Sequence, residues 1–225
     1  MIEKLKFSDI DAVVEIHIES FPTSFLTSLG RPALIKLYEA FLTYGYAYVY
    51  KEGDKVLGVM AGTLSTVEKF YQRLIFENIL FFAIRMPGVL VKTPGLVRRI
   101  FLRIKRLFQK PEYDFREFEP EYDLIIKPGN HNAYALMLGV SPESRGKGVG
   151  KKLWIHQLHD LPERGVDAIL ASVDSTNEIT NGFYEKMGFK IIARTKRKNF
   201  DLEYRWLAYW KGHCSVQESG QVVWE

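Results

Sequence analysis

Apolar residues recur at helical spacing near the start of the chain: Ala12, Val13, Ile16 and Phe21 follow Ser8-Asp9-Ile10-Asp11, a capping residue with early acids. A first helix is predicted from about Ser8 to Ser20, after a short strand. Phe21-Pro22 breaks the pattern, and Arg31-Pro32 opens a second helix carrying Leu34, Leu37, Tyr38 and Phe41 on one side. The period then shortens. Tyr46 to Lys51 and Lys55 to Leu64 read as strands joined by a turn at Glu52-Gly53-Asp54. Later, Asn132 to Val140 reads as a strand, Val149 to Leu161 as a helix and Val166 to Val173 as an almost wholly apolar strand. Glu178 to Met187 is a further helix, stopped by Gly188. A strand, helix and buried strand in that order imply a parallel pair with a right-handed crossover. Phe189 to Arg194 and Leu202 to Trp210 close the sheet as an antiparallel pair. The polar stretch from Lys211 onward is expected to fray.

A long segment, Thr66 to Lys127, separates the third predicted strand from the strand at Asn132. It holds an aromatic-rich helical stretch, Phe70 to Ile84, a break at Met86-Pro87-Gly88, and a second predicted helix from about Leu96 to Phe108. From Val91 to Lys110 there are seven basic residues and no acid, and Val97, Ile100, Phe101, Ile104, Leu107 and Phe108 share one face. Three roles suit such a helix: packing on the domain, covering the acceptor site and attracting an anionic substrate, or lying on an anionic membrane through 91–110. A transmembrane span is not expected, because Arg85 and Pro87-Gly88 interrupt a run already short of about 20 apolar residues.

Composition narrows the class. With 225 residues, 47% of them hydrophobic, the chain can bury one sizeable core. The net charge of +4 suits an anionic ligand without demanding nucleic acid, and no nucleic-acid recognition motif accompanies it. A single cysteine, Cys214, excludes an internal disulfide and a Cys-rich metal site. His156 and His159 share a helix face, but no carboxylate or cysteine cluster completes a metal set. The first residues lack the apolar region of a signal peptide, so a cytoplasmic location is expected.

The candidate chemistry sits where the strand Asn132–Val140 runs through Ser141-Pro142-Glu143-Ser144 into Arg145-Gly146-Lys147-Gly148-Val149-Gly150. Alternating glycines let successive N–H groups turn toward one point, and the following helix adds its positive end, so the loop reads as a cradle for phosphate. The offsets exclude a P-loop, which needs G-x-x-x-x-G-K-[ST]. They weaken a dinucleotide loop, whose third glycine falls one residue later.

Val140, Pro142, Arg145, Gly146, Lys147, Gly148 and Gly150 fall without gaps on a V-x-P-x-x-R-G-x-G-x-G pattern. Asn177, Tyr184 and Gly188-Phe189 follow in order. The two motifs together resemble the GNAT superfamily of acyl-CoA N-acyltransferases, well over Asn132 to Trp210 and loosely before it. The resemblance implies an α/β (α+β) fold. It would be a single GNAT-like domain with a central mixed, mostly antiparallel sheet of about seven strands flanked by helices, and a helical insertion between strands 3 and 4. Residues 1–211 would form the domain, with the insertion at about 66–127, and 212–225 a flexible tail.

The resemblance also implies a site. In the superfamily the pantetheine arm of acetyl-CoA lies between two strands that part, here those at Asn132–Val140 and Val166–Val173. The backbone of Leu138 and Val140 would bind the arm and polarise the thioester. Arg145, Gly146, Lys147, Gly148, Val149 and Gly150 would hold the pyrophosphate, with Lys147, Lys151 and Lys152 steering the 3′-phosphate end. Asn177 would bind the arm, or act as a helix N-cap, with Asn181 beside Tyr184 on the same face. Tyr184 would bind the cofactor and act as general acid toward the departing thiolate. Acetyl-CoA, a co-substrate, and a small or sugar-linked amine are the expected ligands, with no metal. Relatives often place a glutamate on the strand that here reads Asn132-Ala133-Tyr134-Ala135-Leu136-Met137, which has no carboxylate. His131, Asp174 or a water chain remain as routes for the amine proton. Phe21, Phe25, Tyr48, Phe70 and Tyr71 are candidates for lining the acceptor side. A longer acyl-CoA or acyl-carrier donor, a CoA-binding module without transfer, and nucleic-acid binding through the basic helix are the alternatives. Oligomeric state stays open.

Overall fold

A computed structural model describes residues 1–82, 84, 113–197 and 201–225. The basic helix expected over 96–108, with the membrane contact expected through 91–110, lies outside the described residues. The chain divides into two compact units, Met1–Lys110 with Met137–Gly150, and Pro111–Leu136 with Lys151–Glu225.

The first unit begins with β1 (Ile2–Lys4), antiparallel to β2 (Gly45–Glu52), which pairs in turn with β3 (Lys55–Thr63). Between β1 and β2 run α1 (Ile10–Ser20), the single turn α2 (Phe25–Ser28) and α3 (Arg31–Tyr44). The apolar faces foreseen from spacing are the buried ones: Val13, Val14 and Ile16 on α1, and Leu34, Leu37, Tyr38 and Phe41 on α3. Thr66 caps α4 (Val67–Glu77) by accepting from the Lys69 amide. Phe70 on α4 stacks on Phe41 with ring centroids 4.8 Å apart, so the inserted segment begins as a core helix of this unit.

In the second unit the inserted segment contributes β4 (Tyr113–Phe118), which pairs antiparallel with β7 (Lys190–Arg197). Helices were expected in this segment at Phe70 to Ile84 and Leu96 to Phe108, with no element assigned to 113–118; there Tyr-Asp-Phe-Arg alternates aromatic and charged residues, a strand period. The turn α5 (Tyr122–Ile125) follows, then β5 (Asn132–Val140), whose residues from Met137 belong to the first unit together with the loop to Gly150, then α6 (Val149–Glu163), β6 (Ala168–Asp174), α7 (Glu178–Lys186), β7 and β8 (Leu202–Trp210). β5 and β6 are parallel, with pairs from Asn132↔Ala168 to Ala135↔Ala171; the ladder ends there although β6 continues to Asp174. The hydrogen-bonded order is β1-β2-β3-β5-β6-β8-β7-β4, a mixed sheet of eight strands rather than about seven, flanked by helices.

The end of the chain does not fray. β9 (Cys214–Val216) and β10 (Val222–Trp224) form a hairpin. Val222 is buried and its amide donates to the Met187 carbonyl at 2.9 Å, while the Trp224 indole N–H donates to the Gly188 carbonyl at 2.7 Å. A side chain at Gly188 would fall 2.3 Å from the Val222 carbonyl oxygen, so glycine is needed there for the close approach as well as for its φ of +79°. The hairpin thus covers the C-terminus of α7, which its polar composition had hidden.

Candidate functional site

The glycine loop takes the conformation its sequence demands. Gly146 and Gly148 have φ of +76° and +78°, a region that costs other residues energy, and the space where their Cβ atoms would stand is open. Their N–H groups make no backbone hydrogen bond among the described residues. The first amides of α6, from Val149, have no intrahelical partner by the geometry of any helix start. Gly150 stands against the strand below, where a Cβ would lie 3.6 Å from Leu138 Cδ2 and 3.8 Å from Val140 Cγ2. The loop is therefore pinned on β5, and its free donors gather at the positive end of a 15-residue helix.

Arg145 is used differently from the expectation that it holds phosphate. Its Nε donates to the Val140 carbonyl and its Nη2 to the Glu19 carbonyl, each at 3.2 Å, and its own amide donates to Pro142. It clamps the loop to β5 and to the last turn of α1. Lys147 likewise spends its amide on the Ser144 carbonyl, leaving its exposed side chain for solvent. The Val140 carbonyl also accepts from Ser20 Oγ at 3.4 Å, so that acceptor is occupied. Gly139 was not singled out from the sequence. A Cβ there would come within 3.1 Å of Ile16 Cγ2 and 3.3 Å of Ser20 Oγ, so its smallness lets α1 close on β5. A lone glycine inside an apolar strand was the available signal.

In the second unit, Asn177 caps α7, its Oδ1 accepting from the Thr180 amide at 3.1 Å. The capping role weighed for it is present, and its exposed amide nitrogen remains available. Asn181 is buried and engaged at both ends: Nδ2 donates to the carbonyls of Asp174 and Ser175, and Oδ1 accepts from the Trp206 indole at 3.0 Å. It ties the β6–α7 turn to β8 through both ends of its amide. Tyr184 is 5% exposed, enclosed by the rings of Trp154, Phe189 and Trp206. Burial pushes its hydroxyl well above the usual phenol range, so it keeps its proton at any ordinary pH.

The groups considered for proton removal hold structural posts. The His131 amide donates to Asp167 Oδ2 and its ring Nδ1 lies 3.2 Å from the Gly165 carbonyl. Asp174 Oδ1 accepts from the amide and hydroxyl of Thr176. Of the aromatic acceptor candidates, Tyr48 and Phe70 are fully buried core residues. A histidine not singled out from the sequence is the more unusual group. His17 is wholly buried on α1, its Nδ1 lies 3.2 Å from the Tyr38 hydroxyl, and its Nε2 has no partner among the described residues. Burial pulls its pKa down to about 4, so the ring is neutral at physiological pH. No cluster of three or more metal-ligating side chains occurs among the described residues, and no described helix is long and apolar enough to cross a membrane.

Comparison with known proteins agrees with this geometry. Residues 106–189 match the model of the Acetyltransferase (GNAT) family. A mycothiol acetyltransferase of Paenarthrobacter aurescens is 38% identical over 53 residues, covering 24% of this chain and 16% of that protein. The chain thus matches well under a quarter of that relative's length. Among solved structures, an N-acetyltransferase of Staphylococcus aureus superposes with a TM-score of 0.53 at 14% identity, over 92% of this chain and 95% of that one. The protein yncA of Salmonella typhimurium, solved with its cofactor acetyl-CoA, gives 0.52 at 13% identity over 92% and 91%. Part of the chain, residues 106–189, thus matches the GNAT family of acetyltransferases, and its fold is shared with acetyltransferases of known structure.

Proposed function

We propose that the protein transfers the acetyl group of acetyl-CoA to a primary amine of a small or sugar-linked substrate, by direct attack of the neutral amine. The observation that carries this reading is the loop at Gly146 and Gly148, whose open positive-φ geometry leaves N–H donors grouped at the start of α6. Those amides would hold the pyrophosphate, while Arg145 holds the loop. The amine nitrogen bonds to the thioester carbon, the carbon–sulfur bond breaks, and Tyr184 gives its proton to the sulfur. A thiol is a tolerable leaving group, so positioning contributes more than strong acid catalysis. The amine must lose a proton as it attacks, and water can carry it where no carboxylate stands on β5. That the Salmonella relative binds acetyl-CoA supports the donor assignment, and the mycothiol acetyltransferase matches support acetyl transfer.

The test is calorimetric titration with acetyl-CoA, joined to release of free CoA thiol across a panel of amines. Saturable binding is expected, weakened about tenfold or more in Gly148→Val, because a β-branched residue resists positive φ. Absence of binding at millimolar ligand would end the reading. The missing β5 carboxylate also favours a second one, a module that binds CoA without transfer; binding without turnover of any amine would select it. Comparing acetyl-CoA with long-chain acyl-CoA settles the donor's length.

A further inference from the structure

We infer that Arg205, Arg197, Tyr113 and Tyr122 form a binding site for an oxyanion, phosphate or carboxylate, carried by the acceptor amine. The inference deepens the transfer reading and rests on it for the word acceptor.

The argument begins with strand alternation. Trp206 points to the side of the sheet covered by α7, where it meets Tyr184 and Asn181. Arg205 therefore points to the opposite side. There, Ala168, Leu170, Ile192, Ala193 and Leu207 form an apolar floor roofed by Tyr122 and Ile125. Toward the C-terminal end of β6, Ser172 stands opposite Arg205 in register and is exposed. Tyr113 stands opposite Arg197 on the neighbouring pair of strands.

Arg205 is held by a neighbouring phenol. Its Nη1 donates to the buried Tyr122 hydroxyl, and Tyr122 stacks on Phe118 with centroids 4.4 Å apart, so the guanidinium is oriented by a rigid ring. Its Cζ lies 5.6 Å from the Tyr122 ring centre, and that of Arg197 lies 5.7 Å from the Tyr113 ring centre. Among the described residues Arg205 makes no ion pair, whereas Arg194 on β7 pairs with Glu117 and Glu119. Glu203, two residues before Arg205 on β8, pairs in register with Asp174 and Thr195. A half-buried guanidinium bound to one phenol keeps most of its planar fork of N–H donors for a ligand, and that fork matches carboxylate and phosphate geometry. The Tyr122 hydroxyl is raised mainly by burial. Arg205 and Arg197 act against that, while Tyr113 and Tyr134 reinforce it, which places two cations and three phenols around one point. Tyrosine rings beside arginines also suit a planar or sugar group attached to the anion.

The test uses the full chain. Inorganic phosphate and acetate are titrated separately at saturating CoA, which keeps the glycine loop filled. One of the two anions is expected to bind, and its identity distinguishes phosphate from carboxylate. Arg205→Gln and Arg197→Gln should each weaken that binding about tenfold or more, with Arg205→Lys intermediate and CoA affinity unchanged. Equal affinity in wild type and Arg205→Gln, or no anion binding in wild type, would overturn the proposal. In turnover, phosphoethanolamine and β-alanine are compared with propylamine. Arg205→Gln should raise KM for the preferred anionic amine and leave kcat and the neutral amine's KM alone; an equal rise for propylamine would overturn it. Anion binding that depends on Arg205 in a chain that binds no CoA would uphold the anion site and strike only the transfer reading.

Discussion

Tyr184 and His17 are both buried, and burial acts on them with opposite consequences. It disfavours the charged form of each, so the phenol keeps its proton and the imidazole loses one. For Tyr184 this is the state a proton donor needs. Tyr184→Phe is expected to lower kcat about a hundredfold while leaving acetyl-CoA affinity within a few-fold, read by thiol release and calorimetry. For His17 the consequence is stability. Its folded pKa of about 4 lies below the ordinary value of 6.5, so between those two pH values the unfolded chain binds more protons. Stability should therefore be fully present above about pH 6.5 and fall as pH drops toward 4, by up to on the order of 3 kcal/mol. Thermal melts of wild type and His17→Phe across that window test this: the variant should lose the slope, and an unchanged slope would refute it. At this scale the sequence exposed residues whose backbone does the work, such as Gly146 and Gly148. It misled where side-chain partners decide. Nothing local in Arg145 or Asn181 shows that their polar ends are consumed by Glu19 and Trp206, which are distant in sequence.

Among the elements, those with long periodic patterns were legible: α1, α3, α6, α7 and the hairpin of β2 and β3. Short ones were not. β4 has six residues, mostly exposed, and becomes a strand because β7 offers an edge to pair with. The β9–β10 hairpin is polar by composition and is fixed by three contacts far from it in sequence, at Met187, Gly188 and Ile155. Ending the chain after Lys211 is expected to lower the urea midpoint clearly, by exposing Met187 and the end of α7, and Trp224→Ala should give part of that loss. A truncated chain as stable as the whole would show that the hairpin contributes nothing.

For the molecule as a whole, a ligand that binds only the folded state must stabilise it. Acetyl-CoA at about a hundred times its dissociation constant should add roughly 2.7 kcal/mol, visible as a raised thermal midpoint that Gly148→Val largely abolishes. The same shift should shrink with added salt, because the ligand is a polyanion and the chain carries a net charge of +4. Sequence by itself determined the glycine loop and the strand-helix-strand frame around it, because glycine conformation and apolar periodicity are local properties that spacing displays. Tertiary structure alone decided which polar side chains are spent and which are free. It turned Arg145 into a clamp and Asn181 into a tie, buried His17 beside Tyr38, and left Arg205 oriented by Tyr122 with no ion pair among the described residues. Those outcomes depend on contacts between residues far apart in the chain, which no local pattern records.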